Sequence, residues 1–166
     1  RHRPFFVDQR VGKGGTLFRC LKLRTMRSDP ALLVRYFDAN PEELDRYQRT
    51  RKLSRDPRIT PLGRFLRNSS MDELPQLWNV LRGEMSIVGP RPLGPAEFVE
   101  RGIDAEPLKL VRPGLTGLWQ VSGRSNTSLA RRVALDNQYA TSWSLALDLR
   151  IVLATPVAVL LARGAR

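Results

Sequence analysis

The clearest periodic pattern in the chain lies between residues 74 and 81. Four large apolar residues recur there at i, i+3, i+4 and i+7: Leu74, Leu77, Trp78 and Leu81. This spacing is typical of one face of an amphipathic helix. Pro75 is tolerated only in a first helical turn, and Gly83 favours a stop. The pattern therefore predicts a helix that begins near residues 70–72 and ends before Gly83.

Two adjacent carboxylates, Asp72 and Glu73, fall at the predicted start of this helix. Ser70 and Glu73 fit a capping box, in which each side chain bonds a free backbone N–H group. Free N–H groups and the helix dipole favour negative charge there. We therefore expect Asp72 to stay ionised and available as a nucleophile or metal ligand. The segment alone also permits a simpler interpretation, in which Asp72 is a helix cap and Glu73 a first-turn acid.

The start of the chain has the pattern of a β-hairpin. Strand-like runs at residues 5–7 and 16–25 flank the glycine-rich segment 12–15, as expected for two strands and their turn. Lys22 and Arg24 share one face of the second strand because side chains alternate along a strand. Two cations that project together suit a phosphate group, and an exposed basic strand face is the alternative.

Shorter patterns complete the element prediction. Residues 31–53 are helical or loosely ordered, residues 56–61 form an irregular connector, and residues 62–68 form a short basic helix. Strand-like segments at residues 85–88 and 118–121 and a helix over 129–143, which contains Asp136, follow. With their Pro- and Gly-rich turns, these elements predict a small mixed α+β domain over residues 1–166.

The last segment, residues 151–162, is almost entirely apolar and is interrupted by Pro156. As a helix it reaches roughly 18 Å, which is shorter than the ~30 Å hydrocarbon core of a bilayer. We therefore expect that it does not span a membrane. Two alternatives remain open: it lies in the membrane interface or it covers a protein core.

Three arginines belong to rigid turns or to the end of an apolar run. Arg91 lies between Pro90 and Pro92, Arg112 precedes a Pro-Gly turn, and Arg124 follows Gly123. Proline restricts its own backbone and that of the preceding residue. A pinned guanidinium suits bidentate recognition of a phosphate or carboxylate, although arginines in ordinary loops would give the same pattern.

Composition narrows the classes of partner and chemistry. The 166-residue chain has a formal net charge of +12 and a pI of about 11.2, which implies an anionic partner: nucleic acid, lipid head groups or phosphorylated substrates. One cysteine, Cys20, excludes an internal disulfide and favours a reducing compartment. One histidine, His2, weakens any His-based triad or zinc site, whereas a carboxylate metal site stays open.

Several runs form an ordered series: residues 5–12 (FFVDQRVG), 22–26 (KLRTM), 56–60 (DPRIT), 72–81 (DELPQLWNVL), 88–92 (VGPRP), 112–124 (RPGLTGLWQVSGR) and 148–151 (DLRI). In this order they resemble the bacterial sugar transferase family, the monotopic polyprenyl-phosphate sugar-1-phosphate transferases. The resemblance covers nearly the whole chain. It implies an enzyme at the cytoplasmic face of the bacterial inner membrane that initiates exopolysaccharide, capsule or O-antigen synthesis.

The resemblance also implies a two-step reaction. A UDP-sugar gives its sugar-1-phosphate to the enzyme and releases UMP, and polyprenyl (undecaprenyl) phosphate then accepts the phospho-sugar. The family roles carry over to Asp72 as nucleophile and Glu73 as a Mg²⁺ ligand. Asp136 is a second metal ligand or a structural acid. Five cations are the expected phosphate ligands: Lys22, Arg24, Arg91, Arg112 and Arg124.

The chain departs from the family pattern at its start. It begins without Met, and the re-entrant hydrophobic segment that precedes the opening motif in family members is missing. We therefore expect a fragment that is less active, or less stable, than a full-length parent. Met71 replaces the Leu that is common in the family, which is a mild apolar exchange.

Charge alone allows two rival classes. One is a nucleic-acid-binding module, but the aromatic residues lie in apolar contexts and no recognised motif is present. The other is a basic membrane-surface module without catalysis. The preferred hypothesis has a UDP-sugar, polyprenyl phosphate and the membrane surface as partners, no nucleic acid, and an oligomeric state that is left open.

Overall fold

The computed structural model describes residues 3–50, 53–123 and 128–161. Within these ranges the strands are β1 (Phe5–Val11), β2 (Leu17–Leu23), β3 (Ser86–Val88) and β4 (Gly114–Thr116). The helices are α1 (Ala31–Ala39), α2 (Pro41–Thr50), α3 (Pro61–Asn68), α4 (Gln76–Leu81), α5 (Pro95–Arg101), α6 (Leu118–Val121), α7 (Leu129–Thr141) and α8 (Leu145–Leu161). The mixture confirms the predicted α+β class.

The predicted hairpin is present. Strands β1 and β2 pair antiparallel from Phe5 opposite Leu23 to Val11 opposite Leu17. Gly14 and Gly15 lie in the connecting turn with φ of 69° and 77°, a left-handed conformation that glycine adopts without steric cost. The hairpin therefore places Lys22 near the end of β2, three residues before Thr25.

The two arginine-containing turns lie against each other. Strands β3 and β4 form a small parallel pair, and Gly114 donates its backbone N–H to Pro90 O at 2.8 Å. A Cβ atom on Gly114 would lie 2.0 Å from Gly89 N, so only glycine permits this approach. The two turns are separate motifs in the sequence, whereas in the fold they pack against each other.

Three apolar clusters form the core. The first joins the hairpin to the following strand through Phe18, Cys20 and Met85. The other two pack α7 against its neighbours, and their buried members are Val88, Tyr139 and Ile151, and Leu93, Leu108 and Ala140. The first cluster lies under β2 and α4, and it therefore supports the elements that carry the acidic pair.

Most of the predicted elements are confirmed, and two of the corrections concern residues 118–121 and Pro156. Residues 118–121 form the short helix α6, not a strand, because Leu118 and Val121 at i and i+3 both pack on the cluster around Ile151. Pro156 does not interrupt α8, which continues to Leu161. Residues 31–50 are helical and residues 61–68 form the expected basic helix, whose cap is Thr60.

Helix α8 bears out the alternative in which the apolar segment covers a protein core, but only with one of its sides. Ile151 is 1% exposed and belongs to the core, whereas Leu153 is 77% exposed. No helix within the described residues is long and apolar enough to cross a membrane, as expected from the sequence. The helix thus covers the core with one side and leaves apolar side chains on the other.

Candidate active site

The acidic pair lies on a 3₁₀ turn, Met71–Glu73, that precedes α4. Ser70 has a left-handed backbone with φ of 57°, and its side chain makes no capping hydrogen bond. The predicted capping box is therefore wrong, and α4 itself begins only at Gln76, after Pro75. Left-handed non-glycine residues are strained and concentrate at functional sites, so this backbone feature marks the turn.

Helix α4 has its polar residues inside and its apolar residues outside. Gln76 and Asn79 are 2% and 1% exposed. The four residues of the predicted stripe are 42–79% exposed: Leu74, Leu77, Trp78 and Leu81. The stripe exists as predicted, but it faces away from the core of the described residues.

Asn79 explains this orientation. Its side-chain oxygen accepts the backbone N–H of Leu21 at 3.1 Å, and its amide nitrogen donates to Arg19 O at 2.8 Å and to Glu84 Oε2 at 2.6 Å. The amide thus pairs with β2 much as another strand would. This contact holds the turn beside Lys22. Its signal in the sequence is no more than a polar residue within an apolar run.

The fold brings Lys22 to the acidic pair. Lys22 Nζ donates to Glu73 Oε1 at 2.6 Å, and the two side chains are 26% and 34% exposed. A charge-assisted bond of this length between partly buried groups is stronger than a surface ion pair. The fold thus places one of the predicted phosphate-binding cations in direct contact with the acidic pair.

The electrostatics of Asp72 differ from the expectation. Burial and the adjacent Glu73 carboxylate raise the pKa of Asp72 above its ordinary value, while Lys22 and Arg67 act to lower it. Burial thus opposes the expected effect of a helix N-terminus on Asp72, and a three-residue 3₁₀ turn lacks the aligned dipoles of a long helix. Asp72 is instead a partly desolvated carboxylate between two cations.

Arg67 is a site residue that the sequence analysis missed. It lies in the last turn of α3, donates from Nε to Thr25 Oγ1 at 2.9 Å, and acts electrostatically on Asp72. The signal was present in the basic helix that leads into the acidic pair. What the sequence lacked was the contact with Thr25, which turns this arginine toward the hairpin.

Arg24 is held by the start of the chain. Its guanidinium donates to Arg3 O and to Ser28 Oγ, both at 2.9 Å, and it lies 5.9 Å from the centre of the Phe6 ring. The side chain is therefore engaged with β1 and the following loop. It and Lys22 have different partners, although they come from neighbouring positions of one strand face.

Asp136 belongs to a second charged cluster. Arg101 Nη1 lies 3.8 Å from Asp136 Oδ2, and Arg101 Nη2 donates to Glu97 Oε1 at 2.9 Å. Burial raises the pKa of Asp136 to about 7, against the opposing influence of Arg101 and of Arg91. Asp136 thus neighbours α5, whereas the acidic pair neighbours β2 and α3.

The remaining predicted cations are more open. Arg91 is 44% exposed, and its guanidinium has one long contact, 3.9 Å from Nη1 to Glu97 Oε1. Arg112 is exposed beside Gly83. The prediction for Arg124 lies outside the described residues.

A metal centre made only of protein ligands is absent from the part of the chain that the structure describes. No group of three or more His, Cys, Asp or Glu residues is placed there to hold an ion. Asp72 and Glu73 nevertheless supply two adjacent carboxylates. Mg²⁺ in phosphate-handling sites is commonly bound by one or two carboxylates together with substrate phosphates, so this donor pair fits an ion that is completed by substrate.

Known proteins align with nearly the whole chain. The exopolysaccharide production protein ExoY of Sinorhizobium fredii is 50% identical over 161 residues. The alignment covers 96% of this chain and 71% of that protein. The UDP-galactose-lipid carrier transferase of Erwinia amylovora is 44% identical over 98% of this chain and 34% of its own length. The undecaprenyl-phosphate galactose phosphotransferase of Salmonella typhimurium is 44% identical over 96% and 34%.

These alignments include both the turn with the acidic pair and the two arginine-containing turns. The sequence also matches the family described as Bacterial sugar transferase over residues 1–162. Since that match covers far more than half of the chain, the chain belongs to the bacterial sugar transferase family.

Proposed function

We propose that this chain transfers a sugar-1-phosphate from a UDP-sugar to a polyprenyl phosphate through a covalent intermediate on Asp72. The observation that carries the proposal is the Lys22–Glu73 pair at 2.6 Å beside the partly buried Asp72 carboxylate. A carboxylate that attacks a diphosphate faces charge repulsion, and adjacent cations offset it. The names of the relatives supply the donor and acceptor classes.

In the first step a carboxylate oxygen of Asp72 attacks the phosphorus that carries the sugar. A new O–P bond forms, and the bond from that phosphorus to the bridging oxygen breaks, so that UMP leaves with that oxygen. Lys22 and Arg67 act on Asp72 in the resting site. We assign them to the negative charge that spreads over the phosphoryl oxygens during transfer.

In the second step a phosphate oxygen of the polyprenyl phosphate attacks the same phosphorus. The O–P bond to Asp72 breaks, the carboxylate is regenerated, and the sugar leaves as a polyprenyl diphosphate conjugate. Because each in-line displacement occurs opposite the leaving group, the acceptor must enter on the side of the phosphorus that UMP has left. The half-buried position of Asp72 on an exposed turn is compatible with this requirement.

Mg²⁺ is the proposed cofactor, held by Glu73 and Asp72 together with the donor phosphates. Glu73 Oε1 accepts from Lys22, and no described residue donates to its second oxygen. A divalent ion there would neutralise phosphate charge. For Asp136, the pairing with Arg101 at 3.8 Å supports the structural role over the role of metal ligand.

Arg91, Arg112 and Arg124 are the proposed ligands for the remaining phosphate oxygens. Two observations support this role for Arg91 and Arg112. Both residues are exposed, and the contact between Gly89 and Gly114 joins their turns. Arg24 is a weaker candidate because its guanidinium already donates to Arg3 O and Ser28. The relatives from Erwinia amylovora and Salmonella typhimurium carry galactose in their names.

We propose the cytoplasmic face of the inner membrane as the site of action. Large apolar side chains are exposed on α3, on α4 with the residue Leu74 before it, and on α8. They are Leu62 and Phe65 on α3, Leu74, Leu77, Trp78 and Leu81 at α4, and Leu149, Leu153 and Val157 on α8. The net charge of +12 would attract anionic lipid head groups. A water-soluble donor and a lipid acceptor must meet at such a surface.

The direct test is intact-mass measurement after incubation with Mg²⁺ and a panel of UDP-sugars. We expect a mass gain of one hexose phosphate on the wild-type protein and none on Asp72→Asn. Asp104→Asn is the control, because it removes an exposed carboxylate that does not belong to the acidic pair. This variant should still form the adduct. An adduct on the Asp72 variant would contradict the assignment, and neither adduct nor UMP release from the wild type would favour a non-catalytic basic module.

A further inference from the structure

A cavity of about 650 Å³ is lined by residues of α1, of the connector 55–59 and of the start of α3, none of which takes part in the chemistry described above. Its volume is within the ~300–1,000 Å³ typical of ligand sites. Apolar and aromatic walls come from Tyr36, Pro57, Ile59 and Pro61, and the polar lining from Arg55, Asp56 and Arg64.

The polar lining carries net positive charge. Arg58 satisfies the Asp56 carboxylate with two bonds, Nε to Oδ1 at 2.9 Å and Nη2 to Oδ2 at 2.6 Å. By contrast, Arg55 and Arg64 are exposed and their guanidinium groups have no partner among the described residues. Two unpaired guanidinium groups beside a tyrosine ring and proline faces suit an anion that carries a flat ring.

The cavity is connected to the acidic pair through Thr25 and Arg67. The cavity wall bonds the hairpin where Thr60 N donates to Thr25 O at 3.1 Å, and Thr25 Oγ1 accepts Arg67 Nε at 2.9 Å. The charge of Arg67 acts on the cavity carboxylate Asp56 as well as on Asp72. Arg67 is therefore near enough to act on a carboxylate of the cavity and on the proposed nucleophile.

Helix α3 extends this connection into a row of cations. Arg64 and Arg67 are separated by three residues, which places them on the same face of a helix about 4.5 Å apart along its axis. Arg64 lines the cavity, whereas Arg67 bonds Thr25 and acts electrostatically on Asp72. An extended ligand with a ring at one end and two linked phosphates would follow this row.

We infer that this cavity binds the nucleoside of the donor, with Arg64 and Arg67 along its diphosphate and the sugar-bearing phosphorus at Asp72. The inference rests on the proposed function, which supplies a nucleotide donor, and it adds the place where the nucleotide is recognised. A polyprenyl phosphate also carries phosphate, but it has no flat heterocycle for the ring of Tyr36.

Photocrosslinking with 4-thiouridine monophosphate tests the location. After irradiation and proteolysis, we expect labelled peptides that contain Tyr36 or residues 55–64, with labelling suppressed by excess UMP. Inorganic phosphate at the same concentration should suppress it far less, because it lacks the ring. Specific labelling confined to other segments would overturn the inference.

Equilibrium binding of UMP to the same protein provides the second measurement. Arg64→Gln should weaken the affinity about tenfold, as expected for the loss of one charge-assisted contact. Arg35→Gln is the matched control, since Arg35 is exposed on α1 and does not line the cavity. Equal affinities for the two variants would contradict the assignment.

The two hypotheses fail separately. If the hexose phosphate adduct forms on Asp72 but the crosslinks lie outside the cavity, the transfer mechanism stands and the nucleoside site is wrong. If neither adduct nor UMP-competed crosslink forms, the proposed function fails and the inference fails with it. An adduct together with crosslinks at Tyr36 supports both.

Discussion

At the acidic pair, one ammonium group interacts with two carboxylates. Lys22 bonds Glu73 directly and lowers the pKa of Asp72, while burial and Glu73 raise that pKa. In the proposed mechanism, weak solvation activates the Asp72 carboxylate as a nucleophile, and the nearby cations favour its ionised form. This balance has direct consequences for substitution at Lys22.

We expect Lys22→Met to slow formation of the phospho-sugar adduct by about 10²-fold, the usual effect of removing one preorganised charge from a transition state. The measurement is single-turnover UMP release. Lys13→Met, at an exposed lysine in the hairpin turn, removes the same charge elsewhere and should leave the rate unchanged. A similar loss in both variants would mean that net charge, and not the contact with Glu73, is responsible.

Asp136 gives a prediction about stability and pH. Burial raises its pKa from 3.8 to about 7 in the folded protein. The native state therefore binds more protons than the unfolded chain between these values, and stability falls as pH rises toward 7. The maximum slope is about 1.4 kcal/mol per pH unit for one group.

Asp136→Asn should remove this dependence while Arg101 keeps its bond to Glu97. Urea unfolding at pH 5 and pH 8 measures the effect: the free energy of unfolding of the wild type should fall relative to the variant at the higher pH. A difference that stays constant, or that grows in favour of the wild type, would show that the ion pair with Arg101 outweighs burial.

Among the elements, α4 shows that a correctly predicted apolar stripe need not face the core. Its stripe of leucines and Trp78 is periodic, but periodicity does not say what the face meets. Asn79 determines the orientation through bonds to β2. The inward-facing polar side thus depends on a strand 58 residues earlier in the sequence.

The same difference between local pattern and tertiary contact explains which other elements and site residues were predicted and which were not. The hairpin and α7 follow from local alternation and helical spacing, and they were predicted. Residues 118–121 are too few for periodicity to distinguish strand from helix. At the site, Asp72, Glu73 and Lys22 were identified from the sequence, whereas Arg67 depends on the tertiary contact with Thr25.

We expect Asn79→Ala to destabilise the protein by roughly 1–3 kcal/mol, because it removes a buried amide and leaves the partly buried Leu21 N–H without its partner. Adduct formation should fall as well, since the amide holds the acidic turn beside Lys22. Asn68→Ala changes an exposed asparagine at the end of α3 and is the control for urea unfolding. Full stability with lost adduct would instead make Asn79 a substrate contact.

The close contact between the two arginine-containing turns can be tested by substitution of Gly114. Gly114→Ala puts a Cβ atom 2.0 Å from Gly89 N, so β3 and β4 must separate, and we expect a loss of more than about 3 kcal/mol. At Gly94 a Cβ would meet only Arg10 Nη1, at 4.0 Å, so Gly94→Ala should be nearly neutral. Equal thermal unfolding of both variants would mean that the turns are not packed as described.

For the whole molecule, charge and exposed apolar surface act together. The chain carries +12, and α4 and α8 both expose large apolar residues. Either feature alone is compatible with many proteins. Their combination favours a surface with anionic head groups above an apolar layer.

We therefore expect the protein to bind vesicles that contain anionic lipid, and to bind neutral vesicles more weakly. Replacing two exposed leucines of α8, Leu149→Ser with Leu153→Ser, should reduce binding at least tenfold, since each buried leucine contributes about 1.5–3 kcal/mol. Val34→Ser, on the exposed side of α1, is the control in the same flotation assay. Raising the salt concentration should weaken the wild type and both variants in parallel, because their charges are equal. If the double variant bound as tightly as the wild type, the apolar side of α8 would not face the membrane, and the attraction would be electrostatic alone.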